Sequence, residues 1–203
     1  MEIFSKENAL RFGWETVKAN MIFLMGLALL VGLVNLSPII IELYAKEKVG
    51  DFLLPLKIVL WFLQIVLNMG LINISIRLVD KKDVSSEDLF TCLPLLFKYM
   101  VGSVIFGLMI FIGLLLLILP GVYLGLKFQF YDYFIIDKKM GIMESFSMSE
   151  RITAGVIWEL FVFLLMLLVL NLLGLLFFYV GLLITVPTSV IARAHVYRQL
   201  ESR

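Results

Sequence analysis

Two basic residues, Lys127 and Arg193, interrupt otherwise apolar stretches of the chain, and each precedes a tyrosine by four positions, Tyr131 and Tyr197. A charge at the centre of a bilayer costs about 2.5–3.5 kcal/mol on insertion scales, so each is a candidate for function. Lys127 lies ten positions ahead of Asp137, about 15 Å along a helix. It either serves a site near the membrane midplane or snorkels its long side chain to the headgroups. Arg193 is closer to its charged fence and has the shorter way to snorkel. Asp132 shares the Lys127 segment, but five residues on it faces another way and is not the natural partner.

Uncharged polar residues form a second set. Gln64, Asn68 and Ser75 fall within about 40° of one another on a helical wheel, with Asn73 opposite. Such a stripe makes interhelical hydrogen bonds or lines a polar pathway. Asn35, Ser37 and Pro38 mark a kink, or a broken helix whose freed carbonyls hold an ion or substrate. The candidate intramembrane polar site therefore comprises Lys127, Asp132, Gln64, Asn68 and Arg193.

Other chemistries lack their residues. His195 is the only histidine and Cys92 the only cysteine, so neither a disulfide nor a metal cage at ligand spacing is expected. Ser103 and Ser189 lack the Gly-x-Ser-x-Gly elbow, and no base with its orienting group accompanies them. No Gly-x-x-x-x-Gly-Lys-Ser/Thr loop is present for nucleotide phosphates. The chain is read as no enzyme, with no cofactor.

The elements that must hold these residues follow from composition. Of 203 residues 62% are apolar and 16% charged, with a net charge of +1 and a mean hydropathy of +1.03. Soluble domains run at about 45–50% apolar and about 25% charged, so a polytopic membrane protein is expected. The near-neutral balance excludes a nucleic-acid partner. Met21–Tyr44 and Phe52–Leu78 are each long enough to cross, at about 20 apolar residues per span. Two further tracts, Lys98 to Asp137 and Glu159 to Arg198, run about 39 positions each, or about 58 Å of helix. Each reads as a tight hairpin, the first turning at Leu119-Pro120-Gly121 and the second near Phe177–Gly181, with Asn171–Gly174 as a competing turn.

The resulting expectation is a single all-α integral membrane domain over 1–203. It has six transmembrane helices in three hairpins, at about 21–44, 52–78, 99–118, 121–137, 158–177 and 180–199. A cytoplasmic amphipathic interfacial helix precedes each hairpin, at about 5–19, 85–97 and 140–154, as an internal repeat. Residues 1–20 mix acidic with basic groups and show no small-x-small cleavage site, so they are not read as a removable signal. Lys6, Arg11, Lys18, Arg77, Lys81, Lys82, Lys98, Lys138, Lys139, Arg151, Arg198 and Arg203 cluster between spans and at the ends. Only Lys46 and Lys48 fall opposite, which puts both termini in the cytoplasm.

Short motifs recur in order along nearly the whole chain: Ala9-Leu-Arg-Phe-Gly-Trp14 with Lys18 and Asn20, Gly70 through Arg77 to Asp88-Leu-Phe90, Leu119-Pro-Gly121-Val-Tyr, and Glu144-Ser-Phe with Gly155 ahead of Trp158. Together they resemble a family of uncharacterised bacterial multi-pass membrane proteins similar to the membrane domain of some glycerophosphodiester phosphodiesterases. The resemblance implies a helical fold in the bacterial inner membrane and supplies no catalytic residues. The acid and histidine cluster of such a phosphodiesterase is absent from this sequence.

Two functions are expected to compete. One is a non-catalytic membrane protein that organises lipids, a partner membrane protein or further copies of itself. The other is a small-molecule or lipid transporter, or substrate-binding membrane subunit, with a midplane site around Lys127.

Overall fold

A computed structural model describes residues 4–44, 53–176 and 180–203. Lys46, Lys48 and the expected turn at Phe177–Tyr179 lie outside these residues. Among the described residues the structure is helical throughout, without strands. In chain order the α-helices are α1 (Lys6–Ala19), α2 (Met21–Tyr44), α3 (Leu53–Val79), α4 (Leu96–Leu116), α5 (Ile118–Lys127), α6 (Tyr131–Asp137), α7 (Ile142–Thr153), α8 (Ile157–Leu176) and α9 (Leu182–Glu201). Two 3-10 turns, Ser86–Leu89 and Leu93–Leu95, lead into α4.

Four stretches are long and apolar enough to cross a membrane: Met21–Leu43, Leu54–Val79, Ser86–Leu116 and Ile157–Leu176. They carry most of the exposed leucine, isoleucine and phenylalanine. The buried core gathers instead around α6, α9 and the ends of α3 and α8, where Phe130, Phe134, Leu160, Ala192 and Tyr197 are sealed from solvent. The chain is a densely packed base from which long apolar helices extend.

Several expected boundaries move, each for a physical reason. The span expected over 121–137 is two helices, α5 and α6, separated at Phe128–Phe130. The hairpin reverses at the extended Leu117 (φ −170°, ψ 157°) rather than at 119–121, with Pro120 inside the first turn of α5. Proline is tolerated there because a first-turn N–H has no intrahelical partner. Gly113 and Gly121 face each other across this reversal so closely that a Cβ on Gly113 would sit 2.8 Å from the Gly121 Cα. The helix expected over 85–97 is the pair of 3-10 turns. Asp88 folds back to accept the Ser85 N–H at 2.8 Å, and Pro94 prevents continuation of an earlier helix. Asn171–Gly174 is helical, inside α8.

The first and third amphipathic segments are helices, α1 and α7. Ser5 caps α1 by accepting the Asn8 N–H, and Glu144 accepts the Gly141 N–H ahead of α7. α1 is docked on the protein along Ala9, Gly13 and Val17. A Cβ at Gly13 would lie 2.6 Å from the Thr188 carbonyl oxygen of α9. Glycine is what permits this approach.

Candidate functional site

The break between α5 and α6 frees backbone groups that hydrocarbon could not satisfy. α7 supplies their partners. Ser149 and Thr153, one turn apart and fully buried, both donate hydroxyls to the Lys127 carbonyl, at 3.1 and 2.9 Å. Ser149 also accepts the Phe130 N–H at 3.1 Å. A Ser145-x-x-x-Ser149-x-x-x-Thr153 stripe thus forms the packing face of α7, beside Phe146 and Ile152. Its four-residue spacing is legible in the sequence.

The same helix meets the Lys127 side chain. Its Nζ lies 2.8 Å from the Glu150 carboxylate, with the lysine side chain 23% exposed and the glutamate 51%. The Phe128 ring centroid is 5.3 Å from that ammonium. Lys127 is therefore neither a bare midplane charge nor unpaired at the surface. Its partner comes from a helix that spacing along its own segment could not reveal.

Arg193 lies on the opposite side of the break. Its Nη2 reaches the buried Gln129 carbonyl at 3.4 Å, while its Nε is buried without a hydrogen-bond partner. Asp132 accepts the Tyr133 N–H at 2.9 Å. Among the described residues it forms no ion pair with Lys127 or Arg193. Lys127, Asp132 and Arg193 thus surround one helix break without sharing a single polar centre.

The span-two stripe separates. Gln64 donates to the Val34 carbonyl at 3.1 Å, and Ser37 donates to the same oxygen at 2.7 Å. That carbonyl is the one left free by Pro38 four residues on, since proline has no N–H. The helix continues through Pro38, so this carbonyl is a satisfied joint between α2 and α3. Asn68 is exposed. Ser75 is buried and donates within α3 to Ile72, and Asn73 donates across to Asp88 and Thr91.

The densest charge cluster was not among the candidate residues. Arg198, near the end of α9, holds Asp80 after α3 through Nε and Nη2, at 2.9 and 2.8 Å. It also holds Asp137, the last residue of α6, at 2.6 and 2.8 Å, and Glu201 at 2.9 Å. Lys138 bridges Glu201, and Lys82 sits 3.1 Å from Asp80. Burial pushes the Asp80 carboxyl upward, but Arg198 and Lys82 outweigh it and hold the group below its ordinary value. The Glu201 carboxylate, as hydrogen-bond partner, raises the Lys138 ammonium above its own. These residues read in sequence as fences between spans. In the structure they tie the ends of α3, α6 and α9 together.

Two cavities flank α3. One, of about 600 Å³, opens between α2, α3 and α9 and is lined by apolar side chains such as Leu27, Val31, Ile74, Leu183 and Val190, with few polar groups. The other, of about 480 Å³, lies on the opposite face of α3 among Arg77, Asp80, Lys82, Asp137 and Lys139. His195 stacks on Phe12 of α1 with ring centroids 4.3 Å apart, and among the described residues no cluster of metal-ligating side chains forms. No protein-family model, curated protein or solved structure matches the chain.

Proposed function

We propose that the chain is a non-catalytic multi-pass protein of the bacterial inner membrane that organises lipids, with both termini cytoplasmic. In this reading α5–α6 and α9 complete two hairpins begun by α4 and α8, giving six crossings in three hairpins. α1, the turns before α4, and α7 then form the cytoplasmic base. The observation that carries it is the cleft between α2, α3 and α9. Two of its walls, α2 and α3, are membrane-length apolar helices, its lining is almost wholly hydrocarbon, and its volume lies within the usual range for small-ligand pockets, about 300–1,000 Å³. Its occupant is a lipid acyl chain. The polar groups inside the fold mostly face one another, as in the Lys127–Glu150 pair and the Val34–Gln64 bond. An accessory role also fits the short motifs that resemble the phosphodiesterase-associated membrane domain.

Native mass spectrometry and lipid analysis of the purified protein test this reading. A retained lipid at fixed stoichiometry is expected, and it should be lost when Val31→Trp and Val190→Trp fill the cleft. Recovery of lipid-free protein, or unchanged retention in both variants, would refute it.

A second reading is favoured by the helix break at Phe128–Phe130. Discontinuous helices in transporters present freed backbone at a midplane site. On that reading Lys127→Leu abolishes ligand binding while folding persists. On the lipid-organising reading the same substitution leaves lipid retention intact.

A further inference from the structure

We infer that the polar cavity at the base of α3 is a binding site for a phosphate group, carried by a lipid headgroup or by a small soluble phosphate ester. The cavity of about 480 Å³ is walled by the end of α3, the turns before α4 and the end of α6. Two of these walls contribute three cations: Arg77 from α3 and Lys82 after it, and Lys139 after α6. Phosphate is the anion that a planar guanidinium and flexible ammonium groups jointly recognise. The apolar cleft lies on the other face of α3, so either site can fail without the other.

The carboxylates facing the cavity are already engaged. Asp80 and Asp137 are both clasped by Arg198 from the α9 side, Asp80 also lies 3.1 Å from Lys82, and beside the cavity Asp88 lies 3.4 Å from the Arg77 Nε. Arg77 is further fixed by donating to the Asp83 carbonyl at 2.8 Å, and its buried Nε faces Asp88 at ion-pair distance without a hydrogen bond. Among the described residues no carboxylate comes within ion-pair distance of Lys139. Lys98 donates to the Lys139 carbonyl at 3.2 Å, bringing a further ammonium to the same corner.

Lys139 closes α6 in a left-handed turn at the edge of the cavity. Its φ is +55°, in the left-handed region that glycine adopts at least cost. The Met140 N–H returns to the Phe134 carbonyl, the helix-ending turn in which glycine is usual. Lys81 ends α3 in the same way, with φ +56°, so the turn places Lys139 at the end of α6 as a helix terminus does.

The test uses the full chain in detergent micelles, with binding read by calorimetry for inorganic phosphate and glycerol 3-phosphate. Native mass spectrometry compares phosphatidic acid with phosphatidylcholine. Lys82→Gln and Lys139→Gln should each weaken binding at least tenfold. Lys57→Gln, at the distant end of α3, should not, and Lys139→Arg should restore it. Saturable binding of the soluble probes, without preference between the two lipids, supports the site with a soluble ester as ligand. Preferential retention of phosphatidic acid, sensitive to both glutamine substitutions, supports it with a lipid headgroup as ligand. Absence of saturable binding to every probe overturns the proposal, as does binding that survives both substitutions in variants that keep the parent melting temperature.

Discussion

At the residue scale, Arg198 has the largest set of ionic partners among the described residues. Its guanidinium contacts three carboxylates whose side chains are 14–23% exposed. Removing one partner from a buried ion pair costs about 3–5 kcal/mol, because the other charge is left uncompensated. With this partial exposure, Arg198→Ala should cost about 3 kcal/mol, read as a fall in melting temperature in micelles. Arg198→Lys should recover little, since an ammonium cannot clasp two carboxylates bidentately. The same cluster sets a pH window. Asp80 titrates below its ordinary value when folded, so its stabilisation is present above about pH 4 and fades as the pH falls through the folded value. Lys138 titrates above its ordinary value, so its stabilisation is complete below about pH 10 and is lost as the pH rises through the folded value. A melting-temperature plateau between those limits is expected. In Arg198→Ala the acid edge should move toward higher pH. An acid edge unmoved by the substitution would remove Asp80 from the account.

The element scale is governed by how breaks and close approaches are satisfied. α5 and α6 remain packed despite their break because Ser149 and Thr153 bond to its backbone. Ser149→Ala and Thr153→Val should each cost about 1–3 kcal/mol, the penalty for leaving a buried polar group unpaired. The two should combine non-additively, because both donate to the Lys127 carbonyl. A full double-mutant cycle in urea or guanidinium measures this directly. α1 depends on Gly13. A methyl group there would strike the Thr188 carbonyl, so Gly13→Ala should loosen the helix from α9 at about 1–3 kcal/mol. Hydrogen exchange would show faster exchange across α1 with little change in α8. Amphipathic periodicity had marked α1 and α7 as helices, but periodicity alone could not show that their buried faces meet protein. That followed from Gly13 opposite Ala192 and Thr188, and from serine and threonine opposite a broken helix.

At the scale of the whole molecule, packing divides the described residues into an interlocked base, built on an apolar core and tied by ion pairs at its helix ends, and long apolar helices. The proposed threading, with that base in the cytoplasm, would make Lys81, just after α3, and Arg203 accessible from inside the cell. Leu117, at the reversal between α4 and α5, is then accessible from outside. Single cysteines at these positions in a Cys92→Ala background, labelled with a membrane-impermeant maleimide on intact cells, should react only at Leu117→Cys. Labelling at Arg203→Cys would reverse the threading and the orientation of both cavities with it.

The sequence by itself determined that the chain is helical and contains membrane-length apolar segments, because hydrocarbon demands long runs of apolar residues whatever their neighbours. It also showed where charge is scarce enough for each charged residue to count. Only the tertiary structure decided what those charges do. Glu150 meets Lys127 from a helix beyond the break, Gln64 completes the carbonyl freed by Pro38, and Arg198 gathers acids from the ends of α3 and α6. Local patterns record solvent preference along one helix, whereas these partners are brought together by packing between helices distant in the chain.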